Sequence, residues 1–578
     1  MARYSDFASS DEAVLIETDD FALVYDKRNK GFYKKRWSSA TKSWTSAKAP
    51  YSALVAKDGS TVWAEDASGK TIASGEAGVD DASVIQSAVN ALQEGDKLVL
   101  VGVFKLLDTI DLSAKPGISI SGFSDKGDKD SAGTGEIKTM FDCSELGNKP
   151  AFKHEPSNWC RAPSFENLVF WRNDASKGGT AIYIYRGTMI YLRNLLFKRF
   201  NTAIDLEGVW NGNIENVAFD SCGSNADSVA ALRIRDGGSR DLDHSNNIKI
   251  SGVEGGGTEY AGISLEGRTR RVSISHVRYE CGNGRFLLIQ DSAQFNTLTN
   301  FNILYGSPAI EITAFDCKKN VISGGTIDTV FHGEGIVSRG VDTIISSVNL
   351  FKAGSENGDF AIDAENLHII IDCVIEDGYG GIKIAAQPSI IANCHIRYTK
   401  ETGIRIYSAK YSRVVNNYLT KIGSSAGATG VWAIDAWKMD YGIIAGNIIY
   451  QPSDGPQCFG IKEDGSVNAL IEHNRIEGNV ANKILIGGYS SGAIVRRNIG
   501  YLTENSGTAT FSGDGTTTQF SIAHGLVSTP TKVLVTPMTA DAASDFYVTA
   551  DATNIYVNYK SAPPSGSNNI KLSWYAEV

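Results

Sequence analysis

Asp363 and Glu365 stand two residues apart in the segment FAIDAE, and Lys383 and Arg405 occupy equivalent places in the later segments GIKI and GIRI. On an extended strand two such carboxyls lie on one face, about 6.6 Å apart, within the roughly 6.5–9.5 Å that separates acid from base in an inverting glycosidase. A neighbouring Lys or Arg keeps one acid ionised, or takes a proton beside a uronic carboxylate in β-elimination. Hydrolysis and elimination are both open at this stage. Glu311 and Arg339 precede this group, and Tyr407 and Trp432 follow it. A second group joins Tyr183, Tyr185, Asp205 and Glu207 to Arg233, Arg235 and Glu266. Flat rings cover apolar sugar faces while acids bond hydroxyls. Catalysis is therefore expected of Asp363, Glu365, Lys383, Arg405 and Glu311. Substrate binding is expected of Tyr407, Trp432, Arg339 and the second group. Opposite charges so placed are also ordinary cross-strand pairs that keep a sheet exterior soluble.

Other motifs point less far. Gly488–Gly492 satisfies the GxSxG pattern, but the absence of a helical segment after it argues against a nucleophile elbow. Asp128, Asp130 and Gly133 begin like a calcium loop that then fails at Ala132 and Thr139. Asp241, Asp243 and His244 crowd one insertion and read as a solvated turn within reach of a substrate. The eight His have no metal-ligand spacing and the eight Cys no CxxC, so no metal or disulfide framework is expected. Cys373 and Cys394 read as buried small hydrophobes.

The elements that must position these residues are short and repeated. FENLVF, LRNLLF, IENVAF, ISHVRY, LTNFNI, IDCVIE, VVNNYL, IAGNII and IEHNRI share one pattern, whose marker residues run from Asn167 to Asn498 at intervals averaging about 25. Fixed-period self-similarity of this length marks a solenoid. Runs of four to six Ile- and Val-rich residues between Gly and Asn are strands rather than helices. Three strands per coil give a right-handed parallel β-helix, with coils about 4.8 Å apart. The marker Asn side chains are expected to point inward as a ladder. Outward residues should then line up in two columns, one holding Tyr183, Asp205, Arg233, Glu311, Asp363, Lys383, Arg405 and Trp432. The other holds Tyr185, Glu207, Arg235, Glu266, Arg339, Glu365 and Tyr407.

Before the first marker, DDASVIQSAVNALQEG predicts a capping helix over 81–93, with Asp80 or Asp81 at its start and Gly95 at its end. Together with GDKLVLVGVFKL this opening resembles the pectate-lyase-like superfamily common in phage tailspikes. The resemblance implies a parallel β-helix over 76–503. Alternating strands in FALVYD, GFYKKRW and SALVAKDGSTVWAED predict a small β-rich anchoring module at 1–75, and those in FSGDGTTTQFSIAHGL, TKVLVTPM and NNIKLSWYAEV predict a C-terminal β-sandwich at 504–578. The resemblance also implies that such a chain grips and cleaves a polysaccharide, with no cofactor, or with calcium on acidic residues of the same face if it is a lyase.

A net charge of −10 argues against nucleic acid as a partner. The first twenty residues predict no secretory signal, and no apolar run reaches eighteen residues. The expected protein is a homotrimeric spike on a virion tail, made in a host cytoplasm and acting outside it, attached to tail or baseplate through its N-terminal module. A non-catalytic adhesin and a free-standing polysaccharide lyase are the alternatives.

Overall fold

The computed structural model describes the backbone of residues 12–17, 21–26, 31–38 and 43–47. It describes in full residues 51–122, 139–173, 177–238, 244–330, 333–354, 358–424, 431–455 and 457–578. Asp128, Asp130, Gly133, Asp241 and Asp243 lie outside the described residues. The chain divides into two compact units, Met1–Ile344 and Ile345–Val578. About 3% of it is helical, and the two units together hold about 15 turns of β-solenoid. No helix among the described residues is long and apolar enough to cross a membrane.

The first unit opens with an antiparallel sheet of Glu12–Glu17, Phe21–Asp26, Gly31–Ser38 and Ser43–Ala47. A hairpin of Ala53–Asp58 and Thr61–Asp66 follows, and Ala53 to Ala56 pair in parallel with Leu98 to Val101. The one α-helix among the described residues, Asp81–Ala91, buries Val84, Ile85, Ala88 and Val89. Neither aspartate caps it through its side chain. Asp80 accepts the Glu76 N–H at 2.8 Å. The fully buried Asp81 accepts from Lys57 Nζ at 2.8 Å, the Lys105 N–H at 2.7 Å and the Gly78 N–H at 2.9 Å. One carboxylate gathering an ammonium and two amides ties the helix to the strands beneath it. The helix ends at Ala91 instead of Gly95, where Lys115 Nζ takes the Asn90 and Leu92 carbonyls at 2.8 and 2.7 Å.

From there each strand pairs in parallel with its counterpart in the next coil. Gly187–Lys198, Trp210–Asp220, Asn246–Gly256 and Arg270–Glu280 stack as one sheet. Thr180–Tyr185, Thr202–Glu207, Ala230–Arg235 and Ala261–Leu265 stack as another. Because the coil period brings like positions together, buried rings pile up: Phe141, Phe170, Phe197 and Phe219 follow one another at 5.1, 5.1 and 5.8 Å. Burying each such ring contributes about 2 kcal/mol.

The marker residues turn outward in the first unit and at Ser347, and inward from Cys373 onward in the second. In the first, Asn167, Asn194, Asn216, His276 and Asn300 are single left-handed residues, φ 50 to 59, that bend a long strand and face outward. Asn194 Nδ2 donates to Asn167 Oδ1 at 2.9 Å and Asn216 Nδ2 to Asn194 Oδ1 at 3.2 Å, so the expected inward ladder is here an outer one. From Cys373 onward in the second unit the turn holds two residues. Asn416, Gly446, His473 and Arg497 take the left-handed place. The markers Asn417, Asn447, Asn474 and Asn498 then point inward, at most 1% exposed. One added residue reverses the side-chain direction because strand side chains alternate. Cys373 and Cys394 occupy the same inward position and are buried, as expected.

The second unit ends in two three-stranded antiparallel sheets. Glu504–Gly513, Gly566–Glu577 and Lys532–Pro537 form one, and Gln519–Ala523, Asn554–Tyr559 and Phe546–Ala550 the other. Phe520, Ile522, Val557, Ile570, Leu572 and Trp574 fill the space between them.

His154 of the first unit makes stability depend on pH. It is fully buried, with Nδ1 3.1 Å from the Leu112 carbonyl and Nε2 3.5 Å from Cys160 Sγ, and burial lowers its pKa below the ordinary value of 6.5. The unfolded chain therefore takes up a proton before the folded one does, so stability is present at higher pH and is lost as pH falls through about 6.5. The melting temperature should drop between about pH 7 and pH 5.5, and His154→Phe should flatten the slope. An identical slope in that variant would assign the effect to other groups.

Candidate functional site

The second sheet of each coil carries the outward columns, and its register can be followed residue by residue. In the first unit Tyr183, Asp205, Arg233, Ser264, Leu288 and Glu311 are successive partners, as are Tyr185, Glu207 and Arg235. The Glu266 N–H bonds the Ile234 carbonyl at 2.9 Å, which sets Glu266 next after Arg235. The columns are therefore those expected from the alternation.

Their chemistry is largely internal. Arg235 Nε and Nη2 donate to Asp205 at 3.0 and 3.1 Å, and Nη2 also lies 2.5 Å from Glu207 Oε2. The Tyr183 hydroxyl donates to Glu207 at 2.9 Å. Burial, followed by the Glu207 charge and that hydrogen bond, raises the Tyr183 phenol well above its usual range. Burial opposes the charge on Arg235, but the bond and charge of Asp205 and the charge of Glu207 outweigh it and raise its pKa. Arg233 holds Glu266 at 2.7 and 2.9 Å, and Ser264 donates to the same carboxylate at 2.7 Å. Arg285, which the column reading did not include, pairs with Glu311. Leu288, an outward position, is 1% exposed and packs with Ala230, Ala261 and Tyr260. This part of the face is covered. The Arg339 N–H bonds the Ile312 carbonyl at 2.8 Å, so Arg339 follows the coil of Glu311 within the same unit.

The second unit carries Asp363, Lys383 and Arg405 in one column and Glu365, Ala385 and Tyr407 in the other. The next partners are Asp435 and Trp437. Trp432, expected here, pairs instead with Phe459, its ring 4.8 Å away, three residues before the column. An insertion before this coil hid the register. The signal was nonetheless present, because WAIDAW repeats FAIDAE and puts Asp435 and Trp437 at the places of Asp363 and Glu365.

Asp363 is 3% exposed, and its Oδ2 accepts from Lys383 Nζ at 3.0 Å. Arg405 lies 3.7 Å from Asp435, bonds Thr402 Oγ1 at 3.0 Å and sits 5.1 Å over the Phe360 ring. Lys462 reaches Asp435 at 3.8 Å. Tyr407 and Trp437 stack at 4.5 Å and 23°, with Lys438 Nζ 4.1 Å from the Trp437 centroid. On the other side of Tyr407 the column holds only the Ala385 methyl. Glu365 and Tyr407 are thus separated by two strand spacings, about 9.6 Å, with a notch between them. One face of Tyr407, half exposed at 51%, borders that notch.

The remaining motif residues take structural roles. Ser490 Oγ accepts the Gly465 N–H at 3.0 Å in a turn, with strand Ile494–Arg496 after it, so no nucleophile elbow forms. Trp210 Nε1 donates to the His244 carbonyl at 2.7 Å, with the two rings 5.6 Å apart. Among the described residues no three His, Cys, Asp or Glu side chains are grouped to hold a metal ion.

No family model and no curated protein matches this chain. Solved structures of similar fold include phage tailspike and receptor-binding proteins. The pre-mature gene product 12 of bacteriophage phi29 is 9% identical, with TM-score 0.42, covering 87% of this chain and 89% of that one. The tailspike receptor-binding domain of siphovirus 9NA is 10% identical, with TM-score 0.38, covering 83% and 85%. The catalytic unit of a GH87 α-1,3-glucanase from Streptomyces thermodiastaticus is 7% identical, with TM-score 0.29, covering 72% of this chain and 66% of the glucanase. At these identities the similarity is one of fold alone.

Proposed function

We propose that this chain binds a cell-surface polysaccharide at the Ala385 notch and cleaves it there, as a subunit of a viral tail spike. The observation that carries this reading is the gap over Ala385, bounded by Glu365 and Tyr407 and flanked by Asp363, Lys383 and Arg405. A sugar ring lying over the methyl group stacks on Tyr407, and its hydroxyls meet carboxylates and cations. Asp363 and Glu365, one strand alternation apart, supply the two carboxyls of an inverting hydrolysis. Lys383 Nζ holds Asp363 in place with a hydrogen bond of 3.0 Å. If the polymer is a uronate, Arg405 instead pairs with its carboxylate, while Lys383 in its neutral form takes the C5 proton as the C4–O bond breaks and a protonated Glu365 gives a proton to the leaving oxygen. In the same reading three chains associate side by side on closed symmetry, and the sheet of residues 12–47 attaches the spike to the tail.

The test is to incubate the protein with bacterial capsular and exopolysaccharides and follow polymer size, reducing ends and the ultraviolet absorbance of unsaturated uronate. Shortening with reducing ends alone identifies hydrolysis, and shortening with new absorbance identifies elimination. Ala385→Trp, which fills the notch, should abolish either. Bound but uncut polymer would overturn cleavage and leave the adhesin. That alternative draws on the ion pairing of most acids on this face.

A further inference from the structure

The first unit has a concave surface on its other sheet, away from the columns described above. A shallow cavity of about 490 Å³ is lined by Asn213, Glu215, Lys249, Ser251, Ser273 and Ser275. It adjoins one of about 280 Å³ that shares Asn213 and Lys249 and ends at Met189 and Tyr191. Together they make a trough across four successive strands. Tyr191, Asn213, Lys249 and Ser273 are in register along one line, and Arg193, Glu215, Ser251 and Ser275 along the next. The floor is thus about 15 Å long, three strand spacings.

What the trough offers differs from the other face. There, cations and carboxylates saturate one another. Here the Lys249 ammonium and the Ser251 and Ser273 hydroxyls make no hydrogen bond or ion pair with the described residues. Glu215 accepts one bond, from Asn213 Nδ2 at 2.7 Å, and its nearest cation, Arg193 Nε, is 4.0 Å away. Solubility is served by charges, whereas this floor is built of short hydroxyls and an amide with donor and acceptor capacity to spare. Tyr191 and the 63% exposed Met189 supply an apolar end. A volume in the range of small-ligand sites, few charges, many neutral donors and acceptors, and a ring at one end match a polyhydroxylated chain. An anionic polymer would meet Glu215 and would lack a second free cation.

We infer that this trough is a second glycan-binding site, one that grips the polymer without cutting it. The inference rests on the carbohydrate reading of the chain but not on cleavage. Sugar hydroxyls donate to Glu215 and Asn213 and accept from Lys249, Ser251 and Ser273, while a sugar face rests on Tyr191. Holding the chain at a second place raises the effective concentration of its neighbouring segments at the notch.

An array of bacterial capsular and O-antigen oligosaccharides provides the probe, followed by calorimetric titration of each glycan that binds. Ser251→Trp/Ser275→Trp fills the trough from two half-buried strand positions on its floor. It should weaken binding at least tenfold, and any cleavage of a short oligosaccharide at the notch should be unchanged. Asn213→Ala and Lys249→Ala, which leave the backbone pairing untouched, should each weaken it severalfold. Glycan binding that survives all these changes but is lost in Ala385→Trp overturns the inference and leaves the proposed function standing. If no glycan on the array is bound, both are overturned.

Discussion

Asn447→Ala should destabilise the second unit by about 3–5 kcal/mol, as should truncation of Asn474, whose amide makes the same set of bonds one coil on. The expectation follows from counting the bonds of one amide. Asn447 Oδ1 accepts the Asn417 N–H and Nδ2 at 3.0 Å each, and Asn447 Nδ2 donates to the Val414 carbonyl and to Asn474 Oδ1, both at 2.9 Å. All of these atoms sit in the interior, where a donor or acceptor left without its partner costs about 1–3 kcal/mol. Truncation strands at least two of them, the Asn417 N–H and the Val414 carbonyl. Asn447→Asp should be at least as damaging, because it places a charge in the ladder and removes both donors. Since neighbouring coils carry one another, the loss should appear as local hydrogen exchange at Val414, Asn417 and Asn474 before it appears as global melting. Protection unchanged at those amides would show that water replaces the side chain.

The largest expected effect on activity concerns the two carboxyls beside the notch. Asp363→Asn and Glu365→Gln keep the shape of each side chain and remove its charge and proton transfer, so each should lower cleavage about 100-fold or more. Binding of uncut polymer should persist, because the Tyr407 face and the Ala385 gap remain. Asp363→Asn also leaves Lys383 without its partner, a pair 5% and 34% exposed at the two side chains. Melting should therefore be measured alongside activity, to separate a lost acid from a loosened strand. If both variants cut at the native rate, the notch is not the place of chemistry and the cleavage reading fails with it.

Much of this architecture was legible from the repeat. Where coils follow one another without insertion, strand alternation alone aligned Tyr183, Asp205 and Arg233, and likewise Asp363, Lys383 and Arg405, because parallel strands in register leave only one way to stack. The reading slipped at Trp432, where an insertion shifted the apolar pair by three residues and tertiary pairing chose Ile434 and Ala436 as the inward positions. Recognising WAIDAW as a copy of FAIDAE would have corrected it. The pairing of Arg285 with Glu311, the covering of Leu288 and the trough over Ser251 and Ser275 had no sequence signal, since each depends on residues brought together from different coils.

The period of apolar and small residues was enough to specify strands, coils and stacking, because each coil needs only its neighbours to bury its core. It could not specify which way a turn residue faces. Asn194 and Asn447 occupy the same place in the repeat, yet one lies outside and the other in the core. A one-residue bend and a two-residue turn differ by a single step of alternation, and packing across coils selects between them. The same holds for the outer faces. The sequence lists the charges, but only the folded chain decides which are spent on one another and which remain for a ligand.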